Sequence, residues 1–169
     1  MQRIEHIKQC RELVAHWRKG GASIGFVPTM GALHDGHLSL VKQSLAAGHK
    51  TIVSIFVNPK QFGPNEDFAK YPRVLNDDAA LLEKVGAHLL FAPNVDEMYA
   101  QGFATRVKVD GLTNYLCGPS RPGHFEGVAT VVTKLLNQAQ ADEAFFGEKD
   151  WQQLQVIKRL AIDLDIPTR

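Results

Sequence analysis

Two histidines, His34 and His37, flank Asp35-Gly36 in an H-x-G-H pattern. The apolar run Ile24–Val27 precedes them, and Leu38, Val41 and Leu45 follow at helical spacing, so the pattern falls where a strand passes into a helix. The N-terminus of a helix carries unpaired N–H groups and a partial positive charge, and so attracts phosphate. Gly36 lets a ligand come close to the backbone. Imidazoles three residues apart lie on one side of a turn, where both can donate to one cluster of phosphate oxygens, as stabilising a nucleotide's transferring phosphate requires. Two other readings of the segment exist. One is a pair of surface histidines with Asp35 as the N-cap. The other is a zinc site, for which two histidines are an incomplete shell without a third ligand at clear spacing.

Three further segments carry candidate groups. Asn58-Pro59-Lys60-Gln61-Phe62 follows the strongest strand pattern, and Asn58 and Gln61 offer neutral donors and acceptors suited to a hydroxylated or carboxylated small molecule. Ordinary turn chemistry explains the same residues. In Phe146-Gly147-Glu148-Lys149-Asp150-Trp151-Gln152-Gln153, Lys149 is placed to hold a phosphate as a point charge. Asp150 can orient Lys149 or approach a metal, and Gln153 follows three residues later on the same helical face. An acidic first turn complementing a helix dipole, with Lys149 solvated, is the alternative. Ser120-Arg121-Pro122-Gly123-His124-Phe125 sets a cation before a regular helix, where it can hold an anion or be solvated. Asp77-Asp78 can meet a hydrated Mg²⁺, or complement the dipole of the helix they open. His6, His16, His49 and His88 show no partner pattern; Cys10 has core spacing, and Cys117 lies in a loop with nothing to activate it.

These segments are positioned by an alternation of elements. Helical spacing marks Ile7, Cys10, Val14 and Trp17, then Leu38–Leu45, then Leu75, Leu82 and Val85, then Val128–Leu136, and finally Leu154–Leu164. Strand patterns mark Ile24–Val27, Thr51–Val57, His88–Ala92 and Ala144–Phe146, and alternation over Thr105–Val109 predicts a half-exposed strand. Helix and strand in turn predict one α/β domain: a doubly wound, Rossmann-like, mainly parallel sheet with helices on both faces. Ligands of such sheets bind beyond the carboxyl ends of the strands, where the candidate segments fall. The loop from Asn58 to Pro72 is long enough to suggest a functional role.

Composition narrows the class. The 169 residues carry 19 Lys plus Arg against 18 Asp plus Glu, a formal net charge of +1, with no global basic field for nucleic acid or an anionic membrane. Two cysteines make no disulfide framework, no apolar stretch reaches bilayer length, and no signal-peptide pattern opens the chain. The expectation is a soluble cytoplasmic domain. A P-loop, a G-x-G-x-x-G fingerprint and a G-x-S-x-G elbow are all missing, which removes P-loop kinases, common dehydrogenases and α/β-hydrolases.

Taken together, Val27-Pro28-Thr29-Met30-Gly31-Ala32-Leu33-His34-Asp35-Gly36-His37, Val53–Phe62, Tyr71-Pro72-Arg73, Ser120–Phe125 and Phe146–Asp150 closely resemble the pantothenate synthetase (pantoate–β-alanine ligase) family. H-x-G-H alone would indicate only the nucleotidylyl-transferase superfamily; five motifs in this order are far more specific. The resemblance implies that pantoate carboxylate attacks the α-phosphate of ATP, with Mg²⁺ present, to give pantoyl adenylate and pyrophosphate. The β-alanine amine then displaces AMP. Carried over by motif, Met30, Gly31, Ala32, Leu33, His34, Asp35, Gly36 and His37, with Gly147, Glu148, Lys149 and Asp150, would bind ATP. His34, His37 and Lys149 would act on its phosphates, the family's proton donor falling on His37 in a chiefly charge-stabilising role. Gln61 and Gln153 would bind pantoate, with Gln61 also near β-alanine and Asn58 supporting that pocket.

The resemblance also implies a homodimer. Family members continue through a Ser-Ser-Arg-Asn segment into a smaller domain, and this sequence reaches Pro167-Thr168-Arg169 before either. Residues 1–169 are therefore expected to be the nucleotide-binding domain of a longer protein. Two other functions stay open: an H-x-G-H transferase with a phosphate-bearing acceptor, which calls for a basic acceptor pocket, and a module that binds without turnover.

Overall fold

The computed structural model describes residues 1–63, 66 and 68–169; Pro64, Asn65 and Asp67, within the long loop singled out above, lie outside the described residues. In chain order the elements are β1 (Gln2–Ile4), α1 (Ile7–Lys19), β2 (Ile24–Thr29), α2 (Asp35–Ala46), β3 (Lys50–Ile55), α3 (Leu75–Val85), β4 (Leu89–Phe91), the short α4 (Val95–Met98) and α5 (Cys117–Ser120), α6 (His124–Ala139), β5 (Glu143–Ala144) and α7 (Trp151–Asp163). The strands form one sheet, ordered β1-β4-β3-β2-β5, and every pairing is parallel.

Alternation along the central strands builds two apolar layers, because successive side chains leave opposite faces of a sheet. Ile24, Phe26, Ile52, Leu89 and Phe91 pack with Cys10 and Val14 of α1, Val128 and Val132 of α6, and Ile157 and Leu160 of α7. From the other face Val27, Val53 and Leu90 pack with Val41 of α2 and Leu82 of α3. Central strands covered on both sides read as unbroken apolar runs, which is how a parallel sheet appears in sequence.

Differences from the expected elements have local causes. Strand β1 is a three-residue edge, too short for a periodic signal, held by register with Leu89–Phe91 of β4. Thr105–Val109 pairs with no strand among the described residues. Its alternation arises because Val107 and Val109 pack on the core, while the Val107 N–H donates to Thr130 Oγ1 at 3.0 Å. Strand β3 ends at Ile55, ahead of Val57, and β5 covers only Glu143–Ala144.

The winding also locates a crevice. After β2 the chain crosses to α2 on one face; after β5, the strand beside β2, it crosses to α7 on the opposite face. Connections that diverge from adjacent parallel strands leave an opening at their carboxyl ends.

Candidate active site

The loop that leaves β2 is fixed from below. Thr29 Oγ1 donates to Ser54 O at 2.8 Å and accepts the Gly31 N–H at 3.2 Å. Gly31 (φ +87°) and Ala32 (φ +52°) are consecutive left-handed residues, and at Ala32 that conformation costs about 1–2 kcal/mol. A Cβ on Gly31 would lie 3.0 Å from both Asp78 Oδ2 and Ile55 Cγ2, so space as well as the positive φ favours glycine there. The strain is offset by Asp78 of α3, only 2% exposed, whose Oδ2 accepts the Ala32 N–H at 2.9 Å and Oδ1 the Leu33 N–H at 2.7 Å. The two carboxylates weighed for Mg²⁺ sit in different settings. Asp78 has both oxygens committed to the backbone, and Asp77 lies one residue round the helix on its exposed side. Among the described residues no group of three or more His, Cys, Asp or Glu could hold a metal ion.

The held loop presents the imidazoles. His34, with extended backbone, is itself the N-cap of α2: its Nδ1 accepts the Gly36 N–H at 3.1 Å. Asp35, the alternative N-cap, instead stands exposed in the first turn. Because Nδ1 accepts, Nε2 of the neutral ring carries the proton. A Cβ at Gly36 would meet His34 Cε1 at 2.9 Å. The two rings lie with centroids 4.2 Å apart, tilted by 44°. His37 Nδ1 is buried without a hydrogen-bond partner among the described residues. Burial lowers the His37 pKa from its ordinary 6.5, and the nearby His34 and Lys149 lower it further, against a smaller opposing pull from Asp78. Lys149 stands exposed on the single 3₁₀ turn Glu148–Asp150 that leads into α7.

Across the crevice, Gln61 ends the 3₁₀ turn Pro59–Gln61 that follows β3. Its Nε2 lies 3.1 Å from Met30 Sδ and its Oε1 accepts from Asn58 Nδ2 at 3.1 Å. Asn58, 1% exposed, also donates to Gly127 O at 3.1 Å, and its Oδ1 accepts from the Lys60 N–H at 3.2 Å and the Tyr99 hydroxyl at 2.8 Å. An amide with that many partners has no capacity left. Asn58 therefore supports Gln61 and is not placed to meet a ligand itself. Tyr99 was not foreseen in this role, since nothing local distinguishes it.

The basic segment before α6 also has an internal partner. Arg121 Nε and Nη2 donate to Glu66 Oε1 and Oε2, at 2.5 and 2.9 Å, which fastens the loop after β3 to the start of α6. The two-pronged guanidinium bond holds the Glu66 carboxyl at a pKa of about 2, below its ordinary 4.5. A carboxylate with a depressed folded pKa stabilises the fold fully above its unfolded pKa and loses that contribution as pH falls through the folded one. Wild-type protein is therefore expected to lose stability between pH 4.5 and about 2 more steeply than Glu66→Gln, as read by acid unfolding followed by circular dichroism. Superimposable acid limbs would show the pair contributes nothing.

One cavity of about 920 Å³ occupies the crevice, and it gathers Met30, His34, His37, Gln61, Lys149 and Gln153 with the backbone of Gly31, Gly36 and Gly147. Ala32, Glu148 and Asp150 also line it; Leu33, Asp35, Asn58, Asp77 and Asp78 do not. Leu33 is instead packed in the α2–α3 apolar layer. Val128, Val131 and Leu135 of α6 supply an apolar wall. Their spacing reads as ordinary helix core, because a residue lining a cavity and one filling a core share the same period.

The model of the family described as pantoate-beta-alanine ligase matches residues 2–169. The chain belongs to this family. A pantothenate synthetase of Paramagnetospirillum magneticum is 60% identical over 98% of the chain, which covers 58% of that relative. For a pantothenate synthetase of Carboxydothermus hydrogenoformans the identity is 57%, over 98% of the chain and 59% of the relative. The chain thus spans under two thirds of the length of these pantoate–β-alanine ligase relatives. Among solved structures, the pantothenate synthetase from Thermus thermophilus superimposes with a TM-score of 0.95 at 49% identity, covering 100% of the chain and 60% of that structure. The pantoate-beta-alanine ligase of Francisella tularensis, described as complexed with beta-gamma ATP and beta-alanine, gives 0.95 at 43% identity, covering 100% of the chain and 65% of that structure.

Proposed function

We propose that residues 1–169 are the nucleotide-binding domain of a longer ATP-dependent ligase that joins pantoate to β-alanine. The observation that carries the reading is the meeting, in one crevice, of a phosphate-type set (His34, His37, Lys149) with a neutral amide set (Gln61, Gln153). ATP phosphates would lie along the α2 N-terminus, where the two imidazoles and the Lys149 ammonium receive them. Gln61 and Gln153 would hold pantoate through its hydroxyl and carboxylate oxygens, with Gln61 also near β-alanine. A carboxylate oxygen of pantoate attacks the α-phosphorus, the Pα–O bond to the β-phosphate breaks, and pyrophosphate leaves. The neutral β-alanine amine then attacks the acyl carbon, the bond to the adenylate oxygen breaks, AMP leaves, and the amine loses a proton. The domain's work is mostly positioning and charge stabilisation. Mg²⁺ would enter as the counter-ion of the nucleotide substrate, keeping most of its water.

His37 supplies a check on this reading. Its pKa sits below 6.5 in the free protein, and a bound polyphosphate would favour the imidazolium. ATP binding is therefore expected to raise the His37 pKa and take up protons near pH 6.5, with affinity tightening as pH falls through that range. Histidine NMR titration with and without nucleotide reads this directly, and an unmoved His37 would place the phosphates elsewhere.

Homodimer formation is proposed as well. Tyr115 and Leu116 are 71% and 79% exposed and Trp151 is 56% exposed. Gln152 fixes this face by accepting the Cys117 N–H at 3.0 Å and donating to Leu112 O and Tyr115 O. Large apolar side chains exposed on either side of this bonded segment fit a subunit contact. No helix among the described residues is long and apolar enough to cross a membrane. The cytoplasm is the proposed location, because the reaction consumes ATP and two small, charged, water-soluble acids.

Pyrophosphate release from ATP, with and without D-pantoate, tests the activity on this chain and on a longer one. Release that requires pantoate in the longer chain supports the ligase; release by neither chain refutes it. Release by the longer chain alone makes residues 1–169 a binding domain. A phosphate-bearing acceptor would need a basic pocket, whereas Gln61 and Gln153 are neutral.

A further inference from the structure

We propose that His124, backed by Arg121, is a positioning residue that sets Gln61 for the acceptor substrate; this rests on the ligase reading above. His124 opens α6, is 8% exposed, and does not line the cavity, so any influence on the reaction must pass through another residue. That residue is Gln61. His124 Nδ1 lies 2.8 Å from the Gln61 carbonyl oxygen, and its Nε2 lies 2.9 Å from Arg121 Nη1.

The protonation of the ring follows from its neighbours. A guanidinium has only donors and stays charged, so Nε2 must be the acceptor. The single proton of the neutral imidazole is then on Nδ1, which donates to Gln61. Glu66 restrains Arg121 in this position by holding two more of its five N–H donors, at Nε and Nη2. The charged groups that face the ring are Arg121, Glu66 and Asp150, with burial and Arg121 disfavouring its cationic form.

Helix α6 grips the same turn a second time, one turn further along. A Cβ on Gly127 would lie 2.2 Å from Lys60 O and 2.7 Å from Gln61 Cα, so the helix backbone rests directly on the Gln61 main chain. Asn58 ties the Gly127 carbonyl to Gln61 Oε1 from the other side. Gln61 is thereby held at its carbonyl, its Cα and its side-chain oxygen, which leaves its Nε2 as the group presented to the cavity beside Met30 Sδ. Removing the His124 donor frees the carbonyl and lets the amide wander, a fault felt by whichever substrate Gln61 holds and not by the nucleotide at His34, His37 and Lys149.

The experiment uses the longer ligase with His124→Ala, His124→Asn and His124→Gln, each assayed by pyrophosphate release and checked by thermal unfolding. Asparagine puts its amide N–H where Nδ1 stood, whereas glutamine reaches toward the Nε2 position. His124→Ala is expected to raise KM for D-pantoate roughly tenfold while KM for ATP stays within about twofold, and His124→Asn to recover most of that loss where His124→Gln does not. Equal rises in both KM values, or asparagine no better than glutamine, would overturn the proposal. Should these variants fail to fold, Arg121→Lys, which gives up the fork on Glu66, is expected to give the same split at about threefold. An unchanged pantoate KM there would also overturn it. Unmodified ligase that needs no pantoate to release pyrophosphate would refute the ligase reading and this proposal together; pantoate-dependent release with an unsplit KM pattern refutes this proposal alone.

Discussion

Replacing His37 by alanine in the longer ligase is expected to slow pantoyl-adenylate formation by about 10²–10³-fold while weakening ATP binding by less than about tenfold. The magnitude is that of deleting one preorganised donor from a site where negative charge develops. The proposed role rests on the placement of His37. Its ring lies against His34 with centroids 4.2 Å apart, and both residues line the same cavity at the start of α2. Ground-state phosphate still has His34, Lys149 and the helix terminus, so binding survives the loss better than the transition state does. Single-turnover adenylation and nucleotide affinity, measured side by side, separate the two. Equal losses in both would mean that the ring serves only the bound ground state.

Asp78→Ala is expected to destabilise this chain by about 2–4 kcal/mol, since it strands two buried backbone N–H groups and releases the left-handed pair they hold. For a domain of this size that lowers Tm by roughly 5–12 °C. The isosteric Asp78→Asn should be nearly as harmful. Its carboxamide can accept at one oxygen only, so either the Ala32 or the Leu33 N–H, at 2.9 and 2.7 Å from the carboxylate, then meets an NH₂ donor. Both variants should also lose nucleotide affinity, because the loop they loosen carries His34 and His37. Thermal unfolding with ATP titration tests this, and a Tm shift under about 2 °C with affinity intact would show that the loop holds itself.

Much of the site was legible because its chemistry is local. The H-x-G-H segment announces its place through the apolar strand before it and the helical period after it, and Lys149 through the strand-to-helix passage at Phe146–Trp151. Gln61 was legible as a neutral amide just after a strand, and Gln153 as one in the first turns of the last helix. Other roles stayed open in the sequence for one shared cause. The sequence left Asp78 between a metal contact and a dipole complement, Asn58 between turn chemistry and pocket support, and Arg121 between an anion and solvent, because each is a polar group whose partner lies far off in sequence. Asp78 bonds Ala32 and Leu33 across 46 and 45 positions, Arg121 bonds Glu66 across 55, and Asn58 bonds Gly127 across 69.

Residue type, spacing and periodicity by themselves determined the α/β layering, the strand ends where the candidate residues fall and the strand-to-helix setting of the His34–His37 turn. These depend on interactions within a few residues, which an unfolded chain already specifies. Only the tertiary structure decided the order β1-β4-β3-β2-β5, and with it the crevice between β2 and β5. It also decided which carboxylates, amides and guanidinium brace the crevice without lining it. A buried polar group must find a partner somewhere, and topology alone chooses which one.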